Sequence, residues 1–273
     1  MKDNNLVRNI RSLGHALINH VKDYQPLDSL EQEMLSHLVC IDDCGLIISG
    51  YHRRMKSTKQ KNVLFKPNHY GQYIVVMNLV DGEENYFKGS NLYGTSLSLT
   101  SVSTGEHFAV VYNGLTGQVT EFEESTNYLG IKEINAHERQ SLQMNRANRQ
   151  PRQVFGFGRV FVAGEECVGE LKEVSIRSLG STTISILEVL QGHLDIYLNA
   201  TKLWNIWWAL WLRGCQDLRL EDLSSRIGIR DQIPNILSAP NNTIPLLCYK
   251  DPAIIDAFPS TLRSFSKCVL PEK

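Results

Sequence analysis

The groups that could do chemistry are spread unevenly along this sequence. Six cysteines, Cys40, Cys44, Cys167, Cys215, Cys248 and Cys268, are scattered and form no C-x-x-C. The Cys40/Cys44 spacing could suit zinc, but no second Cys or His pair follows at a finger-like distance. They read as buried or free thiols of a reducing compartment, which predicts a cytoplasmic protein. His193 has no carboxylate-and-nucleophile set around it, so it reads as a surface residue and not as a base. There is no nucleophile elbow, P-loop or dinucleotide fingerprint. Phe155-Gly-Phe-Gly158 does not qualify as the last, since no helix is predicted after it. Gly164-Glu165-Glu166 reads as a polar hairpin tip.

Two concentrations of residues stand out. Arg53, Arg54, Lys56, Lys59, Lys61 and Lys66 crowd one polar stretch. It reads as a solvated loop, or as a set of cations meeting an anionic ligand without metal. All four tryptophans, Trp204, Trp207, Trp208 and Trp211, recur at i, i+3, i+4 and i+7, one continuous face of a helix. That face predicts a core stripe, with an exposed partner-binding patch as the alternative.

The elements that must position these groups follow from periodicity. Leu6, Ile10, Leu13, Leu17 and Val21 predict an amphipathic helix over 3–23. Pro26 ends it, and Asp28 or Ser29 is the expected cap of a second helix carrying Leu30, Met34, Leu35 and Leu38. A short buried strand is predicted at 45–49, and a loop at 52–66. Strands follow at 73–77, 95–100, 107–112 and 118–122, separated by turns at Asp81-Gly82, Thr104-Gly105 and Asn113-Gly114. Residues 135–152 stay unassigned. Two strands are predicted at 154–162 and 168–176, then a helix opened by Gly180-Ser181 and running through Leu190. A strand at 193–198, a helix at 202–213, and short strands marked by Leu218, Leu237 and 246–249 come next. Asp251-Pro252 starts a last helix, with Asp as its cap. Interleaved helices and runs of strands predict an α/β (α+β) fold with layered sheets.

Composition limits the partners. At 273 residues, the length is a prior for roughly two domains of about 150 residues. The 28 Lys and Arg nearly cancel the 29 Asp and Glu, leaving a formal charge of −1. That balance argues against a general nucleic-acid binder or a polybasic membrane-surface protein. No apolar run approaches the roughly 18–20 residues that span a bilayer, and the N-terminus does not read as a signal peptide.

Two blocks carry a resemblance. Gly71-Gln-Tyr-Ile-Val-Val-Met-Asn-Leu-Val-Asp-Gly-Glu-Glu-Asn-Tyr-Phe-Lys-Gly89, with Tyr93-Gly-Thr-Ser-Leu-Ser-Leu99 and Val110-Val-Tyr112, resembles the strand and D-P-(I/L)-D-G-(T/S) block of the inositol monophosphatase and fructose-1,6-bisphosphatase superfamily. Gly180-Ser181 through Asp195-Ile-Tyr197 and Lys202-Leu-Trp-Asn-Ile206 resembles that superfamily's G-S…G-x-L-D-x-Y block and its K-x-W-D. The likeness covers roughly residues 28 to 258, with both blocks in the right order. It implies a layered α-β-α-β-α sandwich with the active site between two halves, here 1–140 and 150–273, and it implies a homodimer. It also implies Mg²⁺-assisted phosphate-ester hydrolysis, with the ions held by carboxylates.

The same resemblance exposes departures. Ser49-Gly50-Tyr51 stands where the pattern has Glu-Glu; Asn78 replaces its first Asp and Leu79 its Pro; Asp81 and Gly82 remain; Glu83 replaces its Thr/Ser; Asn205 replaces the Asp of W-D. An Asn carbonyl brings no negative charge, and Glu83 would repel a phosphate. The expectation is a diverged, phosphatase-inactive member that binds a small phosphorylated or other anionic ligand, or a partner protein. No cofactor is then needed. The crevice would be formed by Asn78, Gly82, Glu84, Asn205 and Trp208, the last filling part of the old substrate space. One alternative is a residual Mg²⁺-dependent phosphatase with Asp81 and Glu83 as catalytic and metal-binding residues, aided by Glu84. The other is an enzyme repurposed for another reaction in the same crevice. Asp195 is expected to be structural.

Overall fold

A computed structural model describes residues 4–23, 26–40, 44–50, 64–65, 72–125, 128–134, 153–158, 174–212, 218–238 and 242–269. Two helices, α1 (Asn4–Lys22) and α2 (Leu27–Val39), come first, matching the three- and four-residue apolar spacing. No side chain caps α2: Pro26 holds the cap position, and Ser29 Oγ donates back to its carbonyl at 2.9 Å. Asp28 therefore lies inside the first turn.

Seven strands form the first sheet: β1 (Cys44–Gly50), β2 (Leu64–Phe65), β3 (Tyr73–Asp81), β4 (Gly94–Ser101), β5 (His107–Asn113), β6 (Gln118–Ser125) and β7 (Tyr128–Ile134). A short helix, α3 (Glu83–Phe87), follows β3. The order across the sheet is β2-β1-β3-β4-β5-β6-β7; β1 and β3 run parallel and the other neighbours antiparallel. The predicted meander is thus present and is extended by β7.

Five strands form the second sheet, in the order β11-β12-β10-β8-β9. They are β8 (Gln153–Phe157), β9 (Val174–Arg177), β10 (Ile196–Thr201), β11 (Arg219–Asp222) and β12 (Ile244–Tyr249). Between them in sequence lie α4 (Thr182–Leu190), α5 (Leu203–Leu210), a 3₁₀ turn (Ile229–Gln232) and α6 (Ile233–Ser238). The chain ends in α7 (Ala253–Ala257) and α8 (Pro259–Val269). Leu237, expected on a strand, lies in α6, whose first turn contains Pro234. Proline is well placed there, since its missing N–H has no partner to lose in a first helical turn. Asp251 Oδ1 accepts from the Ala253 N–H at 2.9 Å, close to its expected capping role, although Pro252 holds the cap position.

Strand alternation sorts the side chains into three cores. Val75 and Met77 of β3 face α1 and α2 with Ile10, Leu17 and Leu38, whereas Val76 faces the other way, toward α4 and α5. On β10 and β12, Tyr197, Leu246 and Cys248 join that middle core, while Ile196, Leu198, Leu247 and Tyr249 turn outward to Phe258, Leu262 and Phe265 of α7–α8 and their junction. The result is five layers, helix–sheet–helix–sheet–helix, with α4 and α5 as the central one.

Candidate functional site

The site is assembled where β3 ends and α4 begins. Between Asn78 and Asp81 the β3–β4 register shifts, Asn78 pairing with Ser96 and Asp81 with Gly94. The next residue, Gly82, has φ 96°, and a Cβ there would sit 2.7 Å from the Leu92 carbonyl oxygen and 3.0 Å from that of Gly180. Only glycine meets both the positive φ and the close backbone approach. From this corner α3 starts, with Glu83 half-buried and Glu84 exposed in its first turn. Asn85 Nδ2 donates to the carbonyls of Leu92 at 2.8 Å and Leu179 at 3.3 Å.

The α4 side of the site arrives through Gly180-Ser181. Ser181 caps α4, its Oγ accepting from the Ile184 N–H at 3.2 Å. The same hydroxyl donates to Asp81 Oδ2 at 3.0 Å, and the Thr183 N–H donates to that oxygen at 2.5 Å. A carboxylate at a helix N-terminus meets unsatisfied N–H groups and the positive end of the helix dipole. Burial outweighs those donors and pushes the Asp81 pKa up to about 6. The carboxyl group thus ties the end of β3 to the start of α4 across 102 residues of sequence.

Asn205, in the first turn of α5, is drawn into the same region. Its carbonyl accepts from Thr183 Oγ1 at 3.4 Å, and its Nδ2 donates to Thr201 Oγ1 at 3.3 Å. Thr201 is bonded to Thr182, which also receives Asn199 Nδ2 at 2.8 Å and the Tyr197 hydroxyl at 3.3 Å. Asn78 is fully buried, and among the described residues neither its Oδ1 nor its Nδ2 has a hydrogen-bond partner. The structure therefore brings Asp81, Gly82 and Asn205 together around Ser181 and Thr183, with Asn78 three residues before Asp81 on the same strand. Ser181, Thr183 and Asn85 were not anticipated as site residues. Gly180-Ser181 was legible as a helix start, but nothing local signals that its donors reach Asp81.

Trp208 lies in the middle core. Its ring packs 5.4 Å from that of Phe122, and its carbonyl accepts from His107 Nε2 at 3.0 Å. Trp207 Nε1 donates to Thr100 Oγ1 at 3.0 Å, and Thr100 in turn meets His107 Nδ1 at 2.9 Å. Trp204, Trp207 and Trp208 are all buried, so this stripe is core and not an exposed patch. Asp195 Oδ2 accepts from the Val154 N–H at 2.6 Å, a structural contact. His193 is partly exposed and pairs with Glu188 at 3.0 Å.

A divalent cation requires several oxygen donors, mostly charged. Among the described residues, no three His, Cys, Asp or Glu side chains gather where they could hold a metal ion. Asp81 Oδ2 is engaged by two donors, and Asn78 and Asn205 are uncharged. This donor set does not fit Mg²⁺. The basic stretch at 52–63, Lys66 and the Glu165-Glu166 pair lie outside the described residues. Two surface grooves, of about 190 and 200 Å³, lie elsewhere, one beside Gln232 and Asn242 and the other beside Arg8 and Arg11. No helix of the described residues is long and apolar enough to cross a membrane.

By sequence, no family model and no curated protein matches the chain. By structure, it is similar to the extragenic suppressor protein suhB from Bartonella henselae, with a TM-score of 0.62 and 14% identity over 97% of this chain and 99% of that one. It is similar to the inositol monophosphatase of Anabaena (Nostoc) sp. PCC 7120, with a TM-score of 0.63 and 12% identity over 94% and 95% of the two chains. An IMPase/NADP phosphatase complexed with Mg²⁺ and phosphate gives a TM-score of 0.58 and 13% identity over 85% and 79%. The chain has the inositol monophosphatase fold.

Proposed function

We propose that the chain uses this fold for binding and not for phosphate-ester hydrolysis, taking a small ligand or a partner protein at the crevice around Asp81. The observation that carries this reading is the engagement of Asp81 Oδ2 by Ser181 Oγ and the Thr183 N–H, with uncharged Asn78 and Asn205 as its companions. Metal-assisted hydrolysis needs cations that polarise the phosphate and activate water, and such cations need clustered carboxylates. One carboxyl group, already serving as a strut between two halves, is a poor start for that cage. The anionic character expected of the ligand rests on the basic stretch at 52–66, and the homodimer on the likeness to relatives; both belong to this proposal. Light scattering reads the dimer directly.

The test is phosphate release from sugar, inositol and nucleotide phosphates with Mg²⁺ or Mn²⁺, beside an intact phosphatase of the same fold. No turnover above buffer is expected. Metal-dependent turnover that disappears in Asp81→Ala would overturn the proposal and favour the residual phosphatase built on Asp81, Glu83 and Glu84.

A further inference from the structure

Four buried residues between the first sheet and α5 form hydrogen bonds that run in one direction. Trp207 Nε1 can only donate, so Thr100 Oγ1 accepts its hydrogen at 3.0 Å. The Trp208 carbonyl can only accept, so the hydrogen it takes at 3.0 Å belongs to His107 Nε2. A neutral imidazole carries one N–H, which leaves His107 Nδ1 to accept from the Thr100 hydroxyl at 2.9 Å. Burial pushes the His107 pKa down to about 3, so the ring is neutral near pH 7. The bonds therefore pass from Trp207 to Thr100 to His107 to Trp208, leaving α5, crossing β4 and β5, and returning to α5.

The last bond falls where α5 stops. The helix predicted to reach Arg213 ends at Leu210. In a longer helix the Trp208 carbonyl would accept from the Leu212 N–H, but that N–H donates to the Ala209 carbonyl at 3.3 Å. The final carbonyls of a helix need donors from outside it, and His107 supplies one from β5. We propose that Thr100 and His107 are positioning residues, which with Trp207 latch the end of α5 to the first sheet and so fix where Asn205 stands in the crevice. Asn205 lies in the first turn of the same helix, its carbonyl accepting from Thr183 Oγ1 at 3.4 Å. Apolar packing presses α5 against the sheet without choosing its register, whereas directional bonds in a fully satisfied buried network do choose it. The latch holds whatever the crevice binds.

Nitrogen-15 NMR of the full chain tests this. At pH 7 His107 is expected as the Nε2–H tautomer, and the Trp207 indole N–H is expected to exchange slowly with solvent. Thr100→Val keeps the shape and removes the hydroxyl, leaving the indole N–H and His107 Nδ1 without partners. There the Trp207 exchange should quicken about tenfold or more, and the Asn205 side-chain amide signal should move. Thr100→Ser keeps the hydroxyl and loses a methyl group, and it should return both readouts to native behaviour. A contribution from packing alone would give the opposite order, with Thr100→Ser the more disturbed variant. Should Thr100→Val not fold, Thr100→Ala serves, with the same changes expected. The proposal is overturned by an Nδ1–H tautomer, by unchanged Trp207 exchange or an unmoved Asn205 signal without the hydroxyl, or by a Ser variant that behaves like the Val variant.

Discussion

Replacing Asp81 with Asn should stabilise the protein at neutral pH and leave it nearly unchanged in acid. The substitution keeps the size and an acceptor for Ser181 Oγ and the Thr183 N–H but removes the charge. In the folded chain, burial pushes the Asp81 pKa from 3.8 to about 6, above its unfolded value. A raised pKa means that the folded state holds the proton more tightly. Its stabilising contribution is therefore fully present below about pH 4 and is lost as pH rises through 6. The whole shift corresponds to roughly 3 kcal/mol, of which about 1–2 kcal/mol falls between pH 5 and pH 8. Urea unfolding of native and Asp81→Asn protein at several pH values isolates this group, because every other titration is common to both. The variant's advantage should grow toward neutral pH, and 10 mM Mg²⁺ should not alter it. A native chain that gains on the variant as pH rises, or does so once Mg²⁺ is added, would mean that a cation stabilises the carboxylate, and the reasoning would fail.

Two further outcomes are expected. Burial depresses the His107 pKa from 6.5 to about 3, so its stabilising contribution is present above 6.5 and is lost as pH falls toward 3. His107→Gln should remove roughly 3 kcal/mol of the native chain's loss between pH 8 and pH 4, as read by urea unfolding at the two pH values; parallel acid limbs would contradict it. Gly82→Ala forces a side chain to φ 96° and within 2.7 Å of the Leu92 carbonyl oxygen. A loss of about 2–4 kcal/mol is expected, visible by calorimetry as a lowered midpoint, and an unchanged midpoint would refute it.

The parts of the fold legible in the sequence are those fixed by local repetition. Leu6, Ile10, Leu17 and Val21 repeat at helical spacing and are buried on α1. The β3–β6 meander is equally plain, because apolar runs alternate with Thr-Gly and Asn-Gly turns. β7 escaped because Gly130, Lys132 and Glu133 dilute its apolar residues at the edge of the sheet. Leu237 misled because two short apolar pairs, Ile233-Pro234 and Ile236-Leu237, mimic a strand while folding as one turn of helix. At the site, Asp81 and Gly82 were visible as a turn and Ser181 as a cap. Their hydrogen bond was not, since contact across 100 residues depends on how the two sheets stack and not on any local pattern.

The structure also separates two reasons for finding family-like residues in a chain. Every matching residue at the site has a mechanical task here. Asp81 joins β3 to α4, Gly82 turns a corner that a Cβ would block, Gly180 sits at φ 68° against Asn85, and Ser181 caps α4. Trp204, matching the Trp of W-D, is buried in the middle core. Two positions that depart from the pattern carry less: Asn205 makes one side-chain bond, to Thr201 at the end of β10, and the Asn78 side chain makes none among the described residues. A scaffold needs the first group whether or not it hydrolyses anything, so an Asp-Gly at this corner is explained by folding alone. Catalysis would demand charge at the second group, which is where the chain has amides. Function lives in the site and not in the scaffold, and here the two requirements fall on different residues. Restoring carboxylates at 78 and 205 should therefore alter cation binding far more than it alters the path of the chain.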